Sequence, residues 1–125
     1  MNWHRWLGKP HVTGADPVTD EGCDCLIMVT RIREHLGLAA PSSAHIATLI
    51  ALAKAEAYRD ITQYIRPNLV KLDSPHEGAF TVFETPDQIG AAVLIDSGLL
   101  HVSHKRGVRW IPANMLRRFD WYDWK

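Results

Sequence analysis

The chain carries no surplus charge: its 14 lysines and arginines balance 14 aspartates and glutamates across 125 residues. Without a basic block or stripe, nothing in it points to nucleic acid, and without a polybasic helix nothing points to a lipid surface or membrane insertion. Long apolar runs are missing as well. The opening "MNWHRWLGKPHVTG" has too few apolar residues for a signal peptide or a membrane span. Cysteine is scarce, with only Cys23 and Cys25 on either side of Asp24. A disulfide between them would close a tiny ring against normal geometry, so both read as thiols. Synthesis and folding in a reducing cytoplasm is therefore the expectation. A chain of this length fits one domain that can bury a core without disulfides or metals.

Glycine and proline, by contrast, crowd the beginning. Gly8, Pro10, Gly14, Pro17 and Gly22 predict an irregular lead-in over residues 1–22, with one short helical turn around Trp3, Trp6 and Leu7. From Cys25 the apolar positions Met28, Val29, Ile32 and Leu36 share one helical face. Asp24 fits as N-cap and Gly37 as the residue past the C-cap, which predicts a helix over 24–36. A second helix opens at Pro41–Ser43, keeps its face from Ile46 to Ile65 and stops at Pro67, so that two helices fill 24–66.

Residues 67–78 read as a connector, after which the period changes from helical to alternating. Strands are expected at 79–84, 89–95, 99–103 and 107–111, with "DSG" (96–98) a tight turn and "HKRG" the next turn. The tail 112–125 is aromatic and alternately charged, more suited to docking on the body than to hanging free. Helices followed by an antiparallel meander define an α+β domain.

Cys25 is the residue on which a functional reading turns, and its own pattern leaves three roles open. At the start of a helix, unpaired N–H groups and the helix dipole favour a thiolate nucleophile. A small apolar residue on the buried face of the helix fits equally well. With Cys23, His101 and His104 it could also form a four-ligand zinc site. The ligand types suit zinc, but 101 and 104 have opposite strand parity.

The run "WLGKPHVTGADPVTDEGCDCLIMV" (6–29) resembles the opening of the NlpC-type, papain-like cell-wall endopeptidases. The likeness is strongest to their bacteriophage branch, where an aromatic-Gly-x-Pro lead-in precedes a Gly-Cys-Asp-Cys motif. Downstream, "EGAFTVFETPDQIGAAVLIDSGLLHVSHKRGVRWIP" (77–112) resembles that family's Gly-Asp strand, His-x-Gly strand and following hairpin. The helix at 42–66 matches only in place and type. The resemblance implies a papain-like fold, with N-terminal helices packed on a small antiparallel sheet, and makes Cys25 the nucleophile.

It also implies a broken triad. The position of the family's catalytic histidine is Gln88, which cannot take a proton from a thiol at ordinary pH. The family's third residue matches His101. The Gly-Asp pair is altered to Gly78-Ala79, and the Ser-Gly usually following the cysteine is Leu26-Ile27, which would crowd the substrate side. His76, His11 and His104 are candidate stand-ins for the base, without a spacing argument for any of them. His4, His35 and His45 carry no motif.

Loss of such a base costs several orders of magnitude in rate. The implied role is therefore a tail-tip or tail-assembly component, made in the host cytoplasm and incorporated in the virion tail. Its partners would be other tail or baseplate proteins, and peptidoglycan if the site still acts. No cofactor is implied. Trp3, Trp6, Trp121, Tyr122 and Trp124 are candidate interface anchors, or else the two termini pack on the body.

Overall fold

The computed structural model describes residues 1–85, 88–112, 114 and 119–125, with only the backbone described at 84, 85 and 88. Among these residues three helices precede a six-stranded antiparallel sheet, which makes the chain α+β as its sequence pattern predicts. A 3-10 turn at Trp3–Trp6 opens the chain, and its Asn2 side chain accepts from the His4 N–H.

Helix α1, Cys25–His35, is closed at both ends by local chemistry. At its start the Asp24 carboxylate accepts the N–H groups of Leu26 and Ile27. At its end Gly37 takes φ +73°, which lets its N–H reach the Glu34 carbonyl at 3.1 Å and the Leu38 N–H reach Arg33 at 2.9 Å. That pair of bonds is the Schellman closure, and it needs the left-handed backbone that glycine adopts freely.

The expected single helix after Pro41 is two. Helix α2, Ser43–Lys54, starts in a capping box in which Ser42 and His45 exchange side-chain and backbone bonds. It stops at Ala55, and helix α3 begins afresh at Tyr58–Ile65. The break lies at Glu56, held at φ +56°, where the Glu56 N–H bonds Ala53 at 3.0 Å and the Ala57 N–H bonds Leu52 at 2.9 Å. It is the same closure as after α1, made without glycine, and it turns Ile61 and Ile65 into the core.

Six strands follow: β1 Leu69–Leu72, β2 Phe80–Thr85, β3 Gln88–Ile95, β4 Gly98–Ser103, β5 Gly107–Pro112 and β6 Trp121–Trp124. Their spatial order is β1-β6-β2-β3-β4-β5. The hairpins from β2 to β5 fall within a residue or two of the expected strands. Asp96 and Ser97 hold φ +51° and +62° in the two-residue β3–β4 turn, the conformation that matches strand twist. The connector and the tail need correction: each contributes a strand. β6 pairs with all four residues of β1 and touches β2 through Phe80 opposite Tyr122.

Helix α1 packs against β3, and one apolar core fills the space between helices and sheet. Ala91 and Val93 of β3, Leu100 of β4 and Val108 of β5 point into it. Trp3, Trp6 and Trp124 are buried in the same core, while Trp121 and Tyr122 are half-buried. The alternative for the terminal aromatics therefore holds for those three tryptophans: they pack on the body and are not open anchors.

Arg33 is the least expected member of the interior, at 1% exposure. It donates to the Gly78 carbonyl at 2.6 Å and the Ala39 carbonyl at 2.7 Å, and pairs with Asp123 at 3.0 Å. Its guanidinium also lies over the Phe80 ring, 5.3 Å from the centroid.

Candidate functional site

Cys25 is the first residue of α1 and is buried at 9% exposure. It lines a cavity of about 50 Å³ whose other walls include His11, Asp24, Tyr58, Ile89 and His104. The lead-in supplies His11 through a strap held on both sides. On one side the Cys23 N–H donates to Pro10 at 2.9 Å and the Val12 N–H to Cys23 at 3.2 Å. On the other, the Gly8 N–H donates to Val108 and the Val108 N–H to Lys9, each at 2.9 Å. Gly107 must be glycine there, because it holds φ +73° and a Cβ would run into the Lys9 carbonyl.

The helix N-terminus that was expected to favour a thiolate already holds an anion. Asp24 Oδ1 accepts the N–H of Leu26 at 2.9 Å and of Ile27 at 3.3 Å, and its Oδ2 accepts the Gly14 N–H at 2.9 Å. Burial pushes the Cys25 thiol up to about 12, and the negative charge of Asp24 adds to the rise. Backbone hydrogen bonds from Ala91 and Leu26 pull the other way without offsetting it. The expectation of a lowered thiol pKa is thus reversed. The same carboxylate occupies the N–H groups that an oxyanion hole would need.

Cys23 is fully buried, its Sγ 3.6 Å from the Asp24 carbonyl, and burial followed by the charges of Cys25 and Asp24 also drives it to about 12. Leu26 lines the cavity and Ile27 is buried, so the residues in place of Ser-Gly do crowd this end of the helix.

The apparent triad does not assemble around His101. Val93 opposite Leu100 and Val108 opposite Val102 face the helices. His101 sits between those rows, opposite Ala92 and Arg109, so strand alternation turns it to the other face of the sheet. Burial, with Arg109 beside it, lowers its pKa, and its Nε2 has no hydrogen-bond partner among the described residues. Gln88 opens β3 opposite Thr85, and its side chain lies outside the described residues. On the core face of β3, Ile89 lines the same cavity as Cys25 and Ala91 is buried beside it in the core.

Among the candidate stand-ins, His76 is committed elsewhere, bonded to Asp123 and to the Glu77 carbonyl. His11 and His104 do come together, with ring centroids 4.2 Å apart and planes tilted by 36°. Burial lowers the His11 pKa, His104 lowers it further, and Asp24 raises it in part. Among the described residues, no hydrogen bond joins either ring to Cys25. Nothing in the sequence signals this pairing, since one histidine lies in the lead-in and the other in the β4–β5 turn. Tyr58, at the start of α3, is a further wall residue that sequence patterning did not single out.

Zinc ligation by Cys23, Cys25, His101 and His104 is not supported by this geometry. Among the described residues, no group of three or more histidine, cysteine, aspartate or glutamate side chains is placed to hold a metal ion. No helix among them is long and apolar enough to cross a membrane. A groove of about 610 Å³ runs between α1 and the start of α2 beside Arg31 and Ser42, and neither cysteine nor histidine lines it.

No protein-family model matches this sequence, and no curated protein is similar to it.

Proposed function

We propose that this chain is an NlpC-like, papain-like domain of a bacteriophage tail tip or tail-assembly apparatus, acting as a structural component with an impaired hydrolase site. The observation that carries the impairment is the state of Cys25. Its thiol is buried behind Asp24, protonated at neutral pH, and opens onto a cavity of about 50 Å³. Pockets that take small molecules hold about 300–1,000 Å³, so a peptide stem has no room to place its carbonyl at this sulfur. The family assignment draws on the quoted motifs, and a helix that begins at Cys25 and packs on an antiparallel sheet is in keeping with it.

The test is hydrolysis of purified peptidoglycan by the purified chain, followed by mass spectrometry of released stem peptides. The proposal expects no products above those of Cys25→Ser. Release by the wild type that Cys25→Ser abolishes would overturn it. For the assembly role, immunogold labelling of phage particles should place this chain at the tail, and particles free of label would remove that part.

A second reading has one observation in its favour: His11 and His104 share the cavity with Cys25. In an active endopeptidase one of these imidazoles would take the thiol proton once the strap moved aside. It predicts that His11→Ala or His104→Ala removes the same peptidoglycan cleavage that Cys25→Ser removes.

A further inference from the structure

His76 lies in the segment between β1 and β2, and both of its ring nitrogens face acceptors. Nδ1 is 2.7 Å from the Glu77 carbonyl oxygen, and Nε2 is 2.8 Å from Asp123 Oδ2 on β6. A backbone carbonyl can only accept, and an ionised carboxylate can only accept. A neutral imidazole has one N–H, so one of these two contacts would set lone pair against lone pair. Only the imidazolium satisfies both.

The partners of that cation join three parts of the fold. Asp123 sits in β6 and also meets Arg33 of α1 at 3.0 Å. Arg33 in turn holds the Gly78 carbonyl, two residues beyond His76. The Glu77 carboxylate is turned to the Asp96 N–H in the β3–β4 turn, at 3.0 Å, and leaves His76 to Asp123. Among the described residues the charged groups facing His76 are therefore Asp123 from β6 and Arg33 from α1, with the Glu77 carbonyl from its own segment.

Among the described residues β6 registers with β2 at one position, Phe80 with Tyr122, and its other neighbour is the four-residue edge strand β1.

We propose that His76 is a pH-responsive latch: as an imidazolium it ties β6 to the β1–β2 segment and to α1, and its deprotonation loosens β6 within the sheet. The hydrogen bond to Asp123 is the main influence that raises the His76 pKa, the Glu77 carbonyl assists, and burial and Arg33 oppose. The sign follows. A histidine held above its unfolded value of about 6.5 gives its full stabilisation below that pH and loses it as pH rises through the folded pKa. Because His76 is 42% exposed at its side chain, the effect is confined to local opening and is not a global unfolding switch.

Two readouts on the full chain test the latch. Long-range proton–nitrogen NMR should show both His76 ring nitrogens protonated at pH 6, with a pKa above 6.5 that falls in Asp123→Asn. Hydrogen exchange at residues 121–124, corrected for intrinsic rate, should quicken on the order of twofold to fivefold from pH 6 to pH 9, the range an exposed charge pair supports. In His76→Gln the same amides should exchange quickly at both pH values. A His76 pKa at or below 6.5 in the wild type would overturn the proposal, as would protection at 121–124 that ignores pH. The wild-type titration decides the matter even if a variant fails to fold.

Discussion

Asp24 and Cys25 meet at one helix N-terminus, and the carboxylate occupies it: Leu26 and Ile27 give their N–H groups to Asp24 Oδ1. Two anions at one end of a helix compete for the same donors and repel each other. Capping α1 and activating its first side chain are thus opposed here, and capping prevails.

Alkylation of Cys25 by iodoacetamide, with Cys23→Ser as background, should rise steadily to pH 10 and beyond without a plateau near neutrality. Asp24→Ser keeps a capping oxygen and removes the charge, so the profile should move to lower pH. A wild-type plateau below about pH 8 would mean that the thiolate forms far more easily than a buried thiol beside a carboxylate allows.

Removing the cap altogether should cost stability. Asp24→Ala leaves three N–H groups without their acceptor, those of Gly14, Leu26 and Ile27. Loss of a helix cap costs about 0.5–2 kcal/mol, and the extra Gly14 bond places this variant near the upper end. Urea denaturation at pH 7 measures it, and a loss under about 0.5 kcal/mol would show that water replaces the carboxylate.

Arg33→Met should be among the most damaging single changes in the domain. It strips the donor from two carbonyls and removes one of the two partners of half-buried Asp123, which keeps His76. Each buried acceptor left without its donor costs about 1–3 kcal/mol, and two carbonyls lose theirs at once. Arg33→Lys should not rescue it, since one ammonium on a flexible stem cannot reproduce the planar fork. Chemical denaturation of the two variants side by side checks both statements.

Gly78→Ala joins two penalties at one position. The residue holds φ +87°, and a Cβ would meet the side chains of Leu38 and Leu36. Left-handed backbone at a non-glycine residue costs about 1–3 kcal/mol before any clash. A thermal midpoint within error of wild type would mean that this backbone shifts freely.

On the acid side, Asp16 should set part of the stability profile. Burial raises its carboxyl, but the Arg31 side chain, at 3.0 Å from Nε, and the Val18 N–H more than offset this and hold it below the ordinary value. A depressed carboxylate gives its stabilisation above the unfolded pKa of about 3.9 and loses it as pH falls through the folded value. Asp16→Asn should be less stable than wild type at pH 6, and the gap should close towards pH 2.

The features legible in the sequence are those fixed by neighbours in the chain. Asp24 as N-cap, Gly37 as the left-handed stop and the Asp96–Ser97 turn are each set within a few residues. The helix break at Glu56 was not legible, because "LAKAEAYRD" holds no glycine or proline, and tertiary packing of Ile61 and Ile65 outweighs a continuous helical pattern. β1 and β6 were hidden for a related reason. Four-residue strands carry almost no period of their own, and each is made a strand by a partner some fifty residues away.

The candidate site divides along the same line. Cys25 at the start of α1 was readable, whereas the face of His101 depended on sheet register, and the meeting of His11 with His104 depended on how the strap crosses β5.

The place of β6 between β1 and β2 also has a consequence for synthesis. A growing chain can zip β2 to β5 one hairpin after another as each leaves the ribosome. The slot beside β1 stays empty until residue 124 has emerged, and meanwhile β1 and β2 each present an unpaired margin. In that interval the nascent chain can add a foreign strand at the position β6 will take. Delaying the emergence of residues 121–124 from the ribosome should therefore raise aggregation more than an equal delay of another segment.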